Sequence, residues 1–315
     1  MQTVLITGAA GNLGGLLANY LKDTGTNLHL MIHHRDVAPE LKTRANITVF
    51  KADLEHPDTL TSALQGVDTV VHFAGILFKH HPEKFLPKTN TVYFNNLLDK
   101  AIECKVMRII LISFPHVEGE TFPEHPAQGK LDGNPTSMHA KTRLEEERLL
   151  FGSAASKIEV VALRVGMVYG KGILMIEGAR WFAKHRLLGI WKKPTWIHLI
   201  STIDFLEATH QAILKPNISG IYHLGDDGMQ TLQEFLDAAT LQWKFKKPWR
   251  LRVWFIMLAA WKFEMISWLF QTRSPLTRDF VKIGMASYYG DTQRMKAELL
   301  AKLTYPTYQQ GIGTL

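Results

Sequence analysis

Thr7-Gly8-Ala9-Ala10-Gly11-Asn12-Leu13-Gly14 is the stretch whose reading decides the fold. It follows the β-branched run Thr3–Thr7 and precedes an amphipathic stretch over 13–22, so a glycine turn joins a strand to a helix. In a Gly-x-x-Gly-x-x-Gly spacing the first glycine permits the tight turn. The second lets backbone approach a pyrophosphate, and the third lets the helix pack closely on the strand. The free N–H groups and positive dipole end of the helix then face phosphates. Thr7, Gly8, Gly11, Asn12, Leu13 and Gly14 are therefore candidate cofactor-binding residues. The plain alternative is a structural turn that holds no ligand.

The same alternation continues outward. Short apolar runs predict strands at 27–33, 47–50, 68–73, 107–113 and 158–165, and amphipathic runs predict helices at 57–64, 90–103 and 137–151. Continuous apolar strands alternating with helices imply a parallel sheet covered on both faces. The expected class is α/β, a Rossmann-type doubly wound sheet with a smaller mixed C-terminal lobe. The division falls near 170: residues 1–170 bind the dinucleotide, and 171–315 form a substrate lobe with some segments returning to the sheet.

Five further motifs follow in order. They are Ala52-Asp53-Leu54, Phe73-Ala74-Gly75, the helix carrying Asn90, Asn96, Leu97 and Leu98, the run from Leu163 through Arg164 and Val168 to Gly170, and Ile200-Ser201-Thr202-Ile203-Asp204. Together with the glycine turn they make the chain resemble the short-chain dehydrogenase/reductase superfamily over nearly its whole length. The likeness is to its extended and atypical branches, including epimerase/dehydratase-like and nitrogen-regulator-like members. The resemblance implies that Asp53 and Leu54 lie at the adenine, that Phe73, Ala74 and Gly75 flank the cofactor, and that Val168 belongs to the stretch beside the nicotinamide.

Most of that superfamily uses Tyr-x-x-x-Lys, two side chains one helical turn apart. The resemblance places Lys141 in the lysine position, holding the ribose, and Ser137 where the tyrosine is expected. Serine is shorter and far less acidic than a phenol, so it cannot simply take over the proton transfer. His139 stands two residues from Lys141 and points away from it on a regular helix. Ser113 matches the first serine of the family's serine run after the fifth strand, while Phe114 falls on the second. The candidate catalytic residues are thus Lys141, Ser113, Ser137 and His139. His80, His81 and His116 fall at carboxyl ends of strands, where ligands bind open α/β sheets, but read more simply as exposed loop histidines. No His/Cys/Asp/Glu set has metal-ligand spacing, so no metal is expected.

At the end of the second strand stands His33-His34-Arg35-Asp36. An acid there binds the ribose 2′-hydroxyl of NAD, whereas a nearby arginine suits a 2′-phosphate. Arg35, assisted by His33, favours NADP(H) over NAD(H), with Asp36 one or two positions late for the alternative.

The 315-residue chain is 46% hydrophobic and 21% charged, which excludes a disordered protein. One cysteine, Cys104, allows no internal disulfide, and the N-terminus shows no signal-peptide pattern; a cytoplasmic protein is expected. The formal charge of +7 could attract a phosphorylated ligand or an anionic membrane. No nucleic-acid motif accompanies it, so nucleic acid is not an expected partner. All eight tryptophans lie between Trp181 and Trp268. Within the segment 249–270, the apolar run Val253–Trp261 is too short for a bilayer span of about twenty residues. The segment reads as buried core, as a lid over an apolar small molecule, or as a surface for a peripheral membrane contact or a homodimer. Three functions stay open: an atypical NADP(H)-dependent oxidoreductase, a non-catalytic NAD(P)-binding regulator, and a non-redox isomerase or cyclase.

Overall fold

The apolar, β-branched runs of the first half become strands, and those at the centre of the sheet are buried on both faces, which is why their runs are continuous rather than alternating. A computed structural model describes residues 2–76, 81–270, 272, 274 and 276–315. The strands are β1 (Thr3–Thr7), β2 (Asn27–Ile32), β3 (Ile47–Lys51), β4 (Thr69–His72), β5 (Arg108–Ser113), β6 (Glu159–Val165), β7 (Met167–Tyr169), β8 (Gly189–Trp191), β9 (Trp196–Ile197), β10 (Leu199–Ser201), β11 (Gly220–Leu224), β12 (Gln230–Thr231) and β13 (Trp249–Leu251). The helices are α1 (Asn12–Leu21), α2 (Pro39–Lys42), α3 (Thr61–Leu64), α4 (Tyr93–Glu103), α5 (Met138–Leu149), α6 (Leu174–Lys184), α7 (Thr202–Leu214), α8 (Leu232–Gln242), α9 (Val253–Leu269), α10 (Arg278–Met285) and α11 (Tyr308–Gly311). The helix expected from 90 begins at Tyr93, after wider π-type turns over Pro87–Val92.

Seven strands form one parallel sheet in the order β11-β6-β5-β4-β1-β2-β3. β11 is the segment of the C-terminal half that returns to it. The strand order reverses direction between β1 and β4, where Thr7 lies opposite His72. Such a switch point opens a crevice at the carboxyl ends of the strands. One face of the sheet, with Val4, Ile6, Leu30, Val71, Ile110 and Leu163, packs on α1 and α7. The other, with Leu5, Val70, Ile109, Leu111 and Ala162, packs on α3 and α4.

The tryptophan-rich segment is not simply core. Trp191 and Trp243 are buried, but Trp249, Trp254, Trp261 and Trp268 are exposed. The expectation of ordinary buried packing over 249–270 therefore fails for the aromatic face of α9.

Candidate functional site

The glycine turn sits at the switch point, and its geometry explains all three glycines. Gly8 has φ +67°, and a Cβ there would lie 3.1 Å from Ala74 N. A Cβ on Gly11 or Gly14 would meet the Gly8 carbonyl oxygen at 2.9 and 2.5 Å. The turn closes with Gly11 N–H donating to Gly8 O at 2.8 Å. α1 then starts at Asn12 with no side-chain cap and no acid in its first turn, which leaves its N-terminal amides available to an anion. A nicotinamide dinucleotide fits this cradle, because the three glycines let the turn close tightly on its own backbone and leave the uncapped start of α1 to face a pyrophosphate.

Thr7 ties the turn to the next strand. Its Oγ1 accepts from Phe73 N at 3.2 Å and Ala74 N at 3.3 Å, and lies 2.9 Å from His72 Nδ1. With both lone pairs occupied, the hydroxyl proton goes to His72 Nδ1, so His72 carries its proton on Nε2. Burial, and then the charge of Arg143, push the His72 pKa down to about 3. Phe73-Ala74-Gly75 is thereby held against Gly8. Asn12 reaches the other way: its amide donates to Gly172 O at 2.6 Å and accepts from Leu174 N at 2.9 Å. Its side chain fastens the start of α6 to the turn. Leu13 packs against the core, and Val168 is buried in it.

On the expected adenine side, Asn96 donates to Leu54 O at 2.8 Å, which fixes the Asp53-Leu54 loop to α4. Asp53 accepts from Glu55 N at 2.9 Å, and its carboxylate lies 3.3 Å from His33 Nε2. His33, His34 and Arg35 are exposed, with the two imidazoles 3.7 Å apart. The late acid, Asp36, is engaged elsewhere. It accepts from Val37 N at 2.9 Å and pairs with Lys42, which lowers its pKa.

α5 sends the expected catalytic residues to different faces. Ser137 is the N-cap of this helix, its Oγ accepting from Ala140 N at 3.1 Å. Lys141 is exposed and lines an open cleft of about 590 Å³ with Glu145, Arg148 and Pro87. That cleft lies on the outer face of α5. The inner face carries His139 and Arg143, one turn apart and both buried. A Cβ on Gly75 would run into Arg143 Nη2, so the guanidinium lies directly against the Phe73–Gly75 segment. His139, Arg143 and Gly75 come together; Ser137 and Lys141 stay apart from them. The physical reason is helical phase: positions two residues apart point about 200° from each other. The lysine alone set the expected register, while the buried pair His139-x-x-x-Arg143 has the same four-residue spacing.

Around this pair the site is charged and buried. Arg143 Nη1 donates to Glu146 Oε2 at 2.6 Å. Glu146 is fully buried, and its other oxygen has no hydrogen-bond partner among the described residues. Burial pushes its pKa up to about 7 despite the arginine. His139 lies edge-on to Phe114 with ring centres 4.7 Å apart. Burial, then Arg143, hold its pKa at about 3, so the imidazole is neutral. Asn90 donates to Thr142 Oγ1 at 3.0 Å and ties the π-type turns before α4 to α5.

Ser113 is turned to another task. It is buried and donates to Glu147, which with Glu118 holds the fully buried Arg164. Arg164 Nη2 also donates to Lys130 O at 2.7 Å, and Glu118 accepts from Gly129 N at 2.7 Å. This network fastens the 115–135 loop over the end of β5. Of the three loop histidines, His81 is exposed and pairs with Glu83, while His80 lies outside the described residues. His116 is not an exposed loop residue: it donates from Nε2 to Ala286 O at 3.1 Å, and its Nδ1 is buried.

Several known proteins share this architecture. A UDP-glucose 4-epimerase from Thermotoga maritima superposes with TM-score 0.79 at 17% identity, covering 99% of this chain and 97% of that one. A dTDP-glucose 4,6-dehydratase from Bacillus anthracis, solved with NAD, gives 0.79 at 14% identity, covering 100% and 95%. At these identities the likeness is one of fold. In sequence, a uronate dehydrogenase from Pseudomonas putida is 27% identical over 165 residues, 52% of this chain and 60% of that enzyme. An uncharacterized protein from Methanocaldococcus jannaschii is 26% identical over 267 residues, 75% of this chain and 79% of its own. Residues 4–187 match the model of the NAD dependent epimerase/dehydratase family. With that match spanning more than half the chain, and with the glycine turn, the switch point and the order of motifs in agreement, the protein belongs to the NAD dependent epimerase/dehydratase family of extended short-chain dehydrogenase/reductase proteins.

Proposed function

We propose that this chain is an NADP(H)-dependent oxidoreductase that works in the reducing direction on an apolar carbonyl compound, with His139 and Arg143 in place of the family's tyrosine and lysine. The observation that carries this reading is Arg143 seated against Gly75, one helical turn from His139, beside a turn built for a dinucleotide. The bound cofactor would supply hydride. As hydride arrives, negative charge grows on the carbonyl oxygen, and a fixed cation in a buried site stabilises it without giving up a proton. Arg143 is such a cation, since guanidinium stays protonated in proteins. His139, neutral, offers an N–H to the same oxygen, and the final proton comes from water. In the oxidising direction the alcohol proton would have to leave to water, because the neutral imidazole of His139 beside Arg143 is too weak a base to take it. Phe114 against His139, with the half-buried Phe73 in the segment that Arg143 touches, gives the space an aromatic side that suits an apolar compound better than a sugar.

The preference for NADP(H) rests on His33, His34 and Arg35 standing exposed at the end of β2 while Asp36 is held by Lys42. Calorimetric titration with NADPH and NADH should show tighter NADPH binding, a gap that closes in Arg35→Ala; equal affinities in the unchanged protein would contradict it. Hydride transfer is tested by nicotinamide absorbance against aldehydes, ketones, enones and uronates. Turnover of a uronate but of no apolar carbonyl would overturn the substrate class. Cofactor binding without turnover of any compound would select a second reading, a protein that holds the dinucleotide without reacting it. The burial of the His139 ring and its low pKa favour that second reading.

A further inference from the structure

α9 is laid on the protein by the wrong face for a water-soluble helix. Its buried stripe is Ile256, Ala260, Glu264 and Ser267, spaced four, four and three residues apart. Two of those four are polar, and Glu264 is held by Arg278, accepting from its N–H and its Nε at 2.7 Å each. The opposite face carries the large apolar groups. Trp254 is 54% exposed, Trp261 42% and Trp268 67%, with Phe255, Leu258, Met265, Ile266 and Leu269 also in solvent. An ordinary surface helix shows the reverse pattern.

The patch extends beyond the helix. Phe182 of α6 meets Phe263 of α9 with ring centres 6.3 Å apart. Trp249, at the start of β13, donates from its indole to Arg186 O at 3.1 Å. Exposed Trp181, Leu187 and Trp249 therefore join the aromatic face of α9. Cations rim this surface, with Lys184 and Arg186 after Trp181, Arg252 at the N-cap of α9 and Lys246 before β13, and Lys262 stands within it, all exposed. No acid pairs with these five among the described residues. Asp237, the acid beside Arg250 and Lys247, is already shared between those two.

We infer that this face docks the protein onto an anionic phospholipid surface, with α9 lying in the plane of the interface. Tryptophan is the side chain suited to the boundary between lipid tails and headgroups, and rimming cations meet anionic headgroups. No described helix is long and apolar enough to cross a bilayer, so α9 lies on the membrane rather than through it. A second copy fits less well. A two-fold dimer sets a patch against itself, which would bring the unpaired cations of two rims together with no acids between them.

The test is sedimentation of the full chain with vesicles of phosphatidylcholine alone or with 30% phosphatidylglycerol. The protein should partition onto the anionic vesicles, with a blue shift of tryptophan emission, and should be released by high salt. Trp261→Glu combined with Trp268→Glu should abolish partitioning, and Lys184→Glu combined with Arg186→Glu should weaken it at least about tenfold. Because all four side chains are exposed, circular dichroism melts should match those of the unaltered protein. Failure to sediment with either vesicle overturns the proposal. So does a concentration-dependent dimer, seen by light scattering, that the tryptophan variant dissolves while the unaltered protein ignores lipid.

Discussion

In the proposed reaction Arg143 and His139 carry the chemistry, and both are buried against their neighbours. Arg143→Ala removes the cation against Gly75 and should weaken NADPH binding by at least about tenfold, as loss of a charge-assisted contact implies, whereas Lys141→Ala, on the outer face, should leave it unchanged. Isothermal titration of both variants checks this; a loss in Lys141→Ala alone would reverse the assignment. Restoring the family pair, His139→Tyr with Arg143→Lys, should raise turnover of an accepted carbonyl compound, because phenol and ammonium together can pass a proton where a neutral imidazole beside a guanidinium cannot. Gly14→Ala tests the cradle. Its Cβ would stand 2.5 Å from Gly8 O, an overpacking that should cost about 1–3 kcal/mol in a denaturant titration and abolish dinucleotide binding. At this scale the sequence announces the glycines, since their spacing falls between a strand and a helix, where a dinucleotide turn needs them. It names His139 but not its partner, because only packing tells which side of α5 faces the sheet.

Among the elements, α5 shows how a local device passes for a catalytic one. Ser137 precedes the helix and caps it, as serine commonly does. Ser137→Ala should therefore cost about 1 kcal/mol in thermal stability and leave cofactor affinity intact. A loss of affinity with no loss of stability would return Ser137 to the reaction. The strands and helices themselves were legible to within a few residues, from Thr3–Thr7 to Glu159–Val165, because burial on both faces writes continuous apolar runs into the central strands. α9 was legible as apolar but not in its orientation. Its composition is apolar all round, so periodicity could not say that Ile256, Ala260, Glu264 and Ser267 would be the buried side.

Over the whole molecule, the buried titratable groups set how stability depends on pH. His72, His139, His198 and His223 are buried, and burial is the first cause that pushes their pKa values down to about 3, 3, 4 and 3. The unfolded chain binds a proton on each below about pH 6.5, so their stability is present above that pH and is lost as pH falls toward 4. Between pH 6.5 and 5 this is roughly 2 kcal/mol for each histidine. Glu146 and Asp226 act in the opposite sense. Burial raises both to about 7, so their contribution is present at low pH and lost as pH rises from about 4.5 through 7. Four groups oppose two, and the melting temperature should fall on acidification from pH 7 to 5. A melting temperature that is flat or rising over that interval would show that these imidazoles are not buried as described.

The sequence by itself determined the α/β architecture, the dinucleotide turn and the family, because each rests on local spacing: three glycines between a strand and a helix, and apolar runs of strand length. Only the tertiary structure decided that Arg143 rather than Lys141 meets Gly75, that Ser113 belongs to the Glu147–Arg164 network, and that the tryptophans of α9 look outward. Those outcomes depend on which face of a helix or strand the rest of the chain covers. That choice is made by packing between segments that are separate in the sequence, such as Gly75 and Arg143 or Phe182 and Phe263, and no local pattern records it.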